Sequence, residues 1–164
     1  IAAGRARLQE NPDNEELRGK IDQLRTRRSE LGIREFTWRR AEHPTDRAVI
    51  LQLGRQYFDA GQYNDAIAAF QEAAQEARYA GTAISYLGRS FLEKGQYDLA
   101  VEQFNRAIEE HPEMDEKGKA IRYYKAQALE AMGDEQEALG VYKKIYSQDI
   151  NYRDVAQKVD ALSA

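Results

Sequence analysis

Residues 50–73 read ILQLGRQYFDAGQYNDAIAAFQEA, and residues 84–107 read ISYLGRSFLEKGQYDLAVEQFNRA. The two strings align without a gap, 34 residues apart. Leu53-Gly54 becomes Leu87-Gly88, Tyr57 becomes Phe91, Gly61 becomes Gly95, and Tyr63 becomes Tyr97. Ala66, Phe70 and Ala73 become Ala100, Phe104 and Ala107. A fixed period of this length is the signature of stacked helix-turn-helix units. Such stacks present surfaces to other molecules more often than they house chemistry.

The chemistry of one unit follows from its spacing. Ile50, Leu53, Gly54 and Tyr57 fall at i, i+3, i+4 and i+7, and Ile84, Leu87, Gly88 and Phe91 repeat the pattern. This is one apolar stripe on a helix. A glycine inside such a stripe costs roughly 1 kcal/mol against alanine, so Gly54 and Gly88 predict close approach of a neighbouring helix. Gly61 and Gly95 stand where the stripe stops, which suits a left-handed residue after a helix end. A second helix then carries Ala66, Phe70 and Ala73 on one face, with small residues that let it nest against the first.

These residues closely resemble the tetratricopeptide repeat family, whose pattern runs Leu-Gly, aromatic, Gly, aromatic, Ala, aromatic, Ala and a closing Pro. The second copy ends with Pro112. A third unit is recognisable at an offset of 38 through Ala126, Leu129, Gly133, Ala138, Tyr142 and Ile145, with the added residues around Met114 to Lys117. It departs from the pattern: Arg122 and Lys125 stand where the second unit has Ile84 and Leu87, and Glu135 stands for Tyr97. Ile121, Tyr124 and Ala128 are then expected to take the buried face. The resemblance implies an all-α fold, a right-handed superhelix of antiparallel helix hairpins closed by a C-terminal capping helix.

The flanks extend this arrangement. Asn11-Pro12-Asp13-Asn14 reads as a loop before a helix start, and Ile1 to Glu10 as the end of an earlier helix in a longer protein. Leu17, Ile21, Leu24 and Leu31 form a heptad-like stripe, and no turn signal occurs between about Glu16 and Leu31. Residues 13–43 therefore read as a degenerate repeat with its two helices fused, bent near Gly32. Val155, Val159 and Leu162 place a short helix over Tyr152 to Leu162, as the end of a repeat array requires. The resulting division is one continuous domain: residues 1–45, a degenerate N-terminal segment; 46–80, 81–114 and 115–150, three repeats; and 151–164, the cap.

Composition narrows the function. The chain has 164 residues, a net charge of −4, no cysteine and two histidines. Without cysteine there is no disulfide framework, thiol nucleophile or thiolate metal site, a usage that fits cytosol and periplasm alike. The charge is spread along the chain, so no basic face points to nucleic acid. No apolar run is long enough to span a membrane. His43 and His111 both precede proline at helix ends, where imidazole can meet exposed carbonyls. They do not suffice for a metal site, and no cofactor or catalytic constellation is expected.

The resemblance implies that the first helix of each hairpin lines a concave groove. Facing it would be Ala48, Leu51, Arg55 and Asp59, then Thr82, Ser85, Tyr86, Arg89 and Glu93, then Ala120, Tyr123, Gln127 and Glu130. Arg55 and Arg89 occupy equivalent positions and would favour a carboxylate or an acidic peptide segment. The competing reading pairs each with Asp59 or Glu93, four residues later on the same helix. Both arginines flank the core stripe, so neither is expected to carry packing. Some members of the family clamp an acidic heat-shock chaperone tail with lysine, asparagine and arginine. That pattern is not met here: Arg55 and Tyr86 replace asparagines and Ala120 replaces a lysine.

The expected function is a protein-interaction scaffold holding an unidentified protein or peptide through Arg55, Asp59, Tyr86, Arg89, Glu93, Tyr123 and Gln127. Trp38 either packs on the first full repeat or faces a partner. The alternative is self-association or assembly through the N-terminal helix, which an exposed leucine stripe would favour.

Overall fold

The computed structural model describes residues 15–163, so the reading of Ile1 to Asn14 lies outside the described residues. It contains α1 (Glu15–Glu42), α2 (Arg47–Asp59), α3 (Tyr63–Ala73), α4 (Ala77–Glu93), α5 (Tyr97–Glu110), α6 (Glu116–Met132), α7 (Glu135–Tyr146) and α8 (Val155–Ser163), all helical. Helices α2/α3, α4/α5 and α6/α7 form consecutive hairpins. Each helix packs on its sequence neighbours, and α2, α4 and α6 also touch in that order.

The hairpin geometry comes from a few positions. Gly61, Gly95 and Gly133 have φ of +75°, +72° and +87°, and each ends the first helix of its hairpin. Only glycine enters that region without strain. Gly54 and Gly88 answer a different need. A Cβ on Gly54 would sit 2.7 Å from Phe70 Cε1, and one on Gly88 would sit 2.7 Å from Phe104 Cε1. Both phenylalanines are fully buried, as is Tyr142 in the third hairpin. Burying each such ring contributes roughly 2–3 kcal/mol, and for Phe70 and Phe104 the absence of a Cβ opposite is what admits it.

The third hairpin shows why its sequence departs from the repeat. Asp115 caps α6 by accepting from the Gly118 amide at 2.8 Å. A Cβ on Gly118 would collide with the Glu113 carbonyl oxygen, so the added turn lies directly against the helix start. Arg122 then braces that turn, donating to the carbonyls of Pro112 at 2.8 Å, Glu113 at 3.1 Å and Gly118 at 3.1 Å. Lys125 pairs with Glu137 at 3.0 Å. Ile121 and Ala128 are buried and Tyr124 is half-buried, as the shifted stripe predicts. The His111 imidazole meets carboxylates rather than helix carbonyls. Its ring lies 2.8 Å from Asp115 Oδ1 and 3.3 Å from Glu113 Oε2, because the added turn brings both carboxylates to it.

Helix α1 runs through Gly32 unbroken and lies along α2. At Gly32 a Cβ would collide with the Gln56 side chain, which marks where the helices cross. Arg40 reaches Glu72 on α3 at 2.7 Å, and Arg47 meets the other oxygen of the same carboxylate at 2.6 Å. At the far end, α8 is tied to α6 by Lys158 on Glu130 at 2.8 Å. Among the described residues no helix is long and apolar enough to cross a membrane.

Candidate functional site

Helices α2, α4 and α6 lie side by side, so residues flanking their buried stripes form one wall. Tyr86 on α4 stacks on Phe70 with centroids 5.1 Å apart and meets Phe58 edge-on at 5.6 Å. Arg55 lies over the same ring, 5.6 Å from its centroid. Arg89, one turn further along α4, lies 4.6 Å from Phe58, 4.9 Å from Tyr86 and 4.9 Å from Tyr124 of α6. Guanidinium groups within about 6 Å of ring centroids are drawn to the negative ring faces. The wall is therefore a ladder of cations and aromatic rings crossing three helices.

The i, i+4 ion pairs do not form. Among the described residues neither Arg55 nor Arg89 has a carboxylate within 4 Å. Asp59 faces Arg28 of α1 at 3.4 Å instead. Glu93 lies near the Tyr63 hydroxyl, where burial first and that carboxylate second push the phenol pKa up. Both arginines lie beside aromatic rings and form no direct ion pair among the described residues.

Arg89 also corrects the expectation that neither arginine carries packing. Arg55 is exposed and touches one ring, whereas Arg89 is half-buried against rings from three helices. A long guanidinium stem covers apolar surface while its head stays polar.

The structure brings Arg55, Tyr86 and Arg89 together, with Asp59 and Glu93 at the edge. It places Tyr123 differently. That ring is buried, and its hydroxyl donates to Asp154 at 2.5 Å. Burial and the Asp154 carboxylate push its pKa up to about 12. Gln127 donates to the same hydroxyl at 3.5 Å, so both belong to the joint that docks the capping segment. Leu51 is buried as well, and Glu130 is held by Lys158. Trp38 is 65% exposed on α1, so it does not pack on the first hairpin.

Sequence reasoning missed Phe58 and Arg153. Arg153 lies in the turn before α8, 4.5 Å from the Tyr123 centroid and 4.9 Å from that of Tyr124. It falls outside every repeat register, so spacing carried no signal for it. A concavity of about 570 Å³ lies away from this wall between α5, α6 and α7. Of the cations that line it, Arg122 is engaged with carbonyls and Lys125 with Glu137, and Lys144 is the third.

The family profile described as tetratricopeptide repeat matches residues 51–115 and again 87–153, more than half of the sequence. The chain belongs to the tetratricopeptide repeat family. Among solved structures, a crystal structure of MamA has a TM-score of 0.71 at 21% identity, covering 79% of this chain and 74% of that one. A MamA double mutant has 0.73 at 19%, covering 92% and 83%. YrrB, described as a TPR protein with an unusual peptide-binding site, has 0.67 at 18%, covering 98% and 82%. A comparison with curated proteins found no significant match. At these identities the likeness establishes the repeat fold.

Proposed function

We propose that the chain is a protein-interaction scaffold that holds an acidic peptide segment against the wall formed by α2, α4 and α6. The observation that carries this reading is the pair of arginines, Arg55 and Arg89, held on aromatic rings with no carboxylate partner within 4 Å among the described residues. A guanidinium fixed in this way offers a carboxylate two parallel donors at little ordering cost. Tyr86 supplies an apolar surface for the stem of the ligand, and Asp59 and Glu93 set acidic edges that fix its register. The peptide site named for YrrB, on the same repeat fold, supports the choice of ligand class.

Arg55 is the clean probe because it is exposed. Charge-assisted hydrogen bonds contribute about 1.5–3 kcal/mol when shielded and less at an open rim, so Arg55→Ala should weaken binding several-fold. The measurement is fluorescence anisotropy of a labelled glutamate-containing peptide at two salt concentrations. Full affinity and unchanged salt dependence in the variant would overturn the reading.

A second reading, assembly through α1, is favoured by one observation. Leu24, Leu31 and Trp38 recur every seventh residue and are 51%, 56% and 65% exposed. Ser29, Gly32 and Phe36 face α2, where Leu31 also lines a concavity with Gln52, Arg55 and Gln56, while Leu24 and Trp38 stay clear of it. Lys20, Arg27 and Arg34 run beside them at the same spacing, so a symmetric pair would juxtapose like charges. The groove reading therefore stands first. Solution mass distinguishes them, because a monomer at high concentration excludes self-assembly through α1.

A further inference from the structure

The turn into the capping helix carries a third arginine on the same wall, and its backbone is strained. Arg153 has φ of +50° and is the non-glycine residue with positive φ among the described residues. Glycine or asparagine would occupy that conformation with less strain. Strain of this kind persists where the surroundings over-determine it, and it clusters at ligand clamps. Here it aims the side chain at Tyr123, Tyr124 and Tyr152, with centroids 4.5, 4.9 and 5.3 Å from the guanidinium carbon. No carboxylate lies within 4 Å of it among the described residues.

Ring contact alone does not make an anion subsite, as Lys119 shows. It lies 5.0 Å from the Tyr152 centroid, but Asp149 at 2.7 Å and Glu116 already compensate its charge. Arg153 has the rings without the carboxylates, as Arg55 and Arg89 do.

The shared rings also bound the spacing from above. Arg89 and Arg153 each lie 4.9 Å from the Tyr124 centroid, which puts them no more than about 10 Å apart, within the reach of one ring between two cations. Arg55 and Arg89 lie 5.6 and 4.9 Å from the Tyr86 centroid, no more than about 11 Å apart. An extended peptide advances about 3.3–3.6 Å per residue, so three residues span about 10–11 Å.

We propose that Arg153 is a third anion subsite of the concave wall, supplied by the capping turn, so that the site takes an extended peptide with carboxylates at steps of up to three residues. This rests on the groove reading above. The repeats provide two anchors and the cap provides the last, so the cap sets the length of acidic segment that is read.

The test uses the full chain and labelled peptides carrying three glutamates, each three residues from the next. Single Glu→Gln changes are made at either end. Against wild-type protein, one end replacement should weaken binding about five-fold or more through loss of its Arg153 contact. Arg153→Gly should weaken the parent peptide by a similar factor and add nothing further for that glutamine peptide. Arg153→Lys, which retains the charge, should recover part of the loss. If Arg153→Gly weakens all peptides equally, the residue is structural and the inference fails. If Arg55→Ala weakens binding while neither end replacement coupled to Arg153 does, the inference fails and the groove reading stands. No effect of Arg55→Ala would remove both. The glutamine peptides leave the protein unchanged, so their result stands even where Arg153→Gly loosens the cap.

Discussion

Replacing glycine with alanine should have opposite signs at two helical positions of this fold. At Gly140, in α7, a Cβ meets nothing within 4 Å. The substitution there restores helix propensity and should stabilise by about 0.5–1 kcal/mol. At Gly88 the same gain is available, but the new Cβ would sit 2.7 Å from Cε1, 2.8 Å from Cδ1 and 3.0 Å from Cζ of Phe104. That ring cannot step aside: it is 0% exposed and stacks against Tyr124 at 6.3 Å and 17°. Overpacking of a filled core costs about 1–3 kcal/mol. Gly88→Ala should therefore end between neutral and about 2 kcal/mol destabilised, and below Gly140→Ala by about 1–3 kcal/mol. For a chain of this size each kcal/mol moves the melting temperature by about 2–4 °C. Urea denaturation with a fixed slope and thermal melting monitored by circular dichroism both resolve that difference. Equal stabilisation by the two substitutions would refute the claim that Gly54 and Gly88 exist to seat buried rings.

Arg89→Ala should lower the melting temperature, because it strips contacts with Phe58, Tyr86 and Tyr124, while Arg55→Ala should leave it within error; equal melts would mean that Arg89 carries no packing. Gly95→Val should destabilise clearly in denaturant, since a β-branched residue is strained at φ +72°, and an unchanged midpoint would place that turn in another conformation. Asp149 is held below its ordinary pKa, first by the hydrogen bond from Lys119. The folded state thus binds that proton less readily than the unfolded chain, so the contribution is present above about pH 4 and lost as pH falls through the depressed value. Asp149→Asn should flatten the acid limb of a stability–pH curve, and an identical limb would show that the pair with Lys119 is not felt.

Much of the architecture is legible because local spacing and backbone sterics dictate it. The repeat offset fixes the helix pairs, Gly61 and Gly95 adopt the left-handed turns expected of them and Gly133 does the same, and α8 overlaps the helix expected over Tyr152 to Leu162. The absence of turn residues before Gly32 implies two fused helices bent near Gly32, and the helix observed runs from Glu15 to Glu42 through that glycine. What escapes is set by partners distant in sequence. Asp59 lies one helical turn from Arg55, yet Arg28 of a different helix faces it. Tyr123 occupies a groove position in the repeat register, but the chain beyond α7 folds back and Asp154 covers it. Arg122 looks like an error in an apolar stripe because hydropathy is blind to the backbone carbonyls it binds. Arg153 follows no period, and its value lies in a strained turn that only three-dimensional structure displays.

The most direct test of the concave wall is side-chain NMR. Arginine Nε–Hε resonances are assigned by single Arg→Lys changes and followed while the three-glutamate peptide is added. Saturable shifts at Arg55, Arg89 and Arg153, with the Trp38 indole signal unmoved, are the predicted result. Shifts confined to the Trp38 indole and α1, with the three arginines silent, would contradict the account.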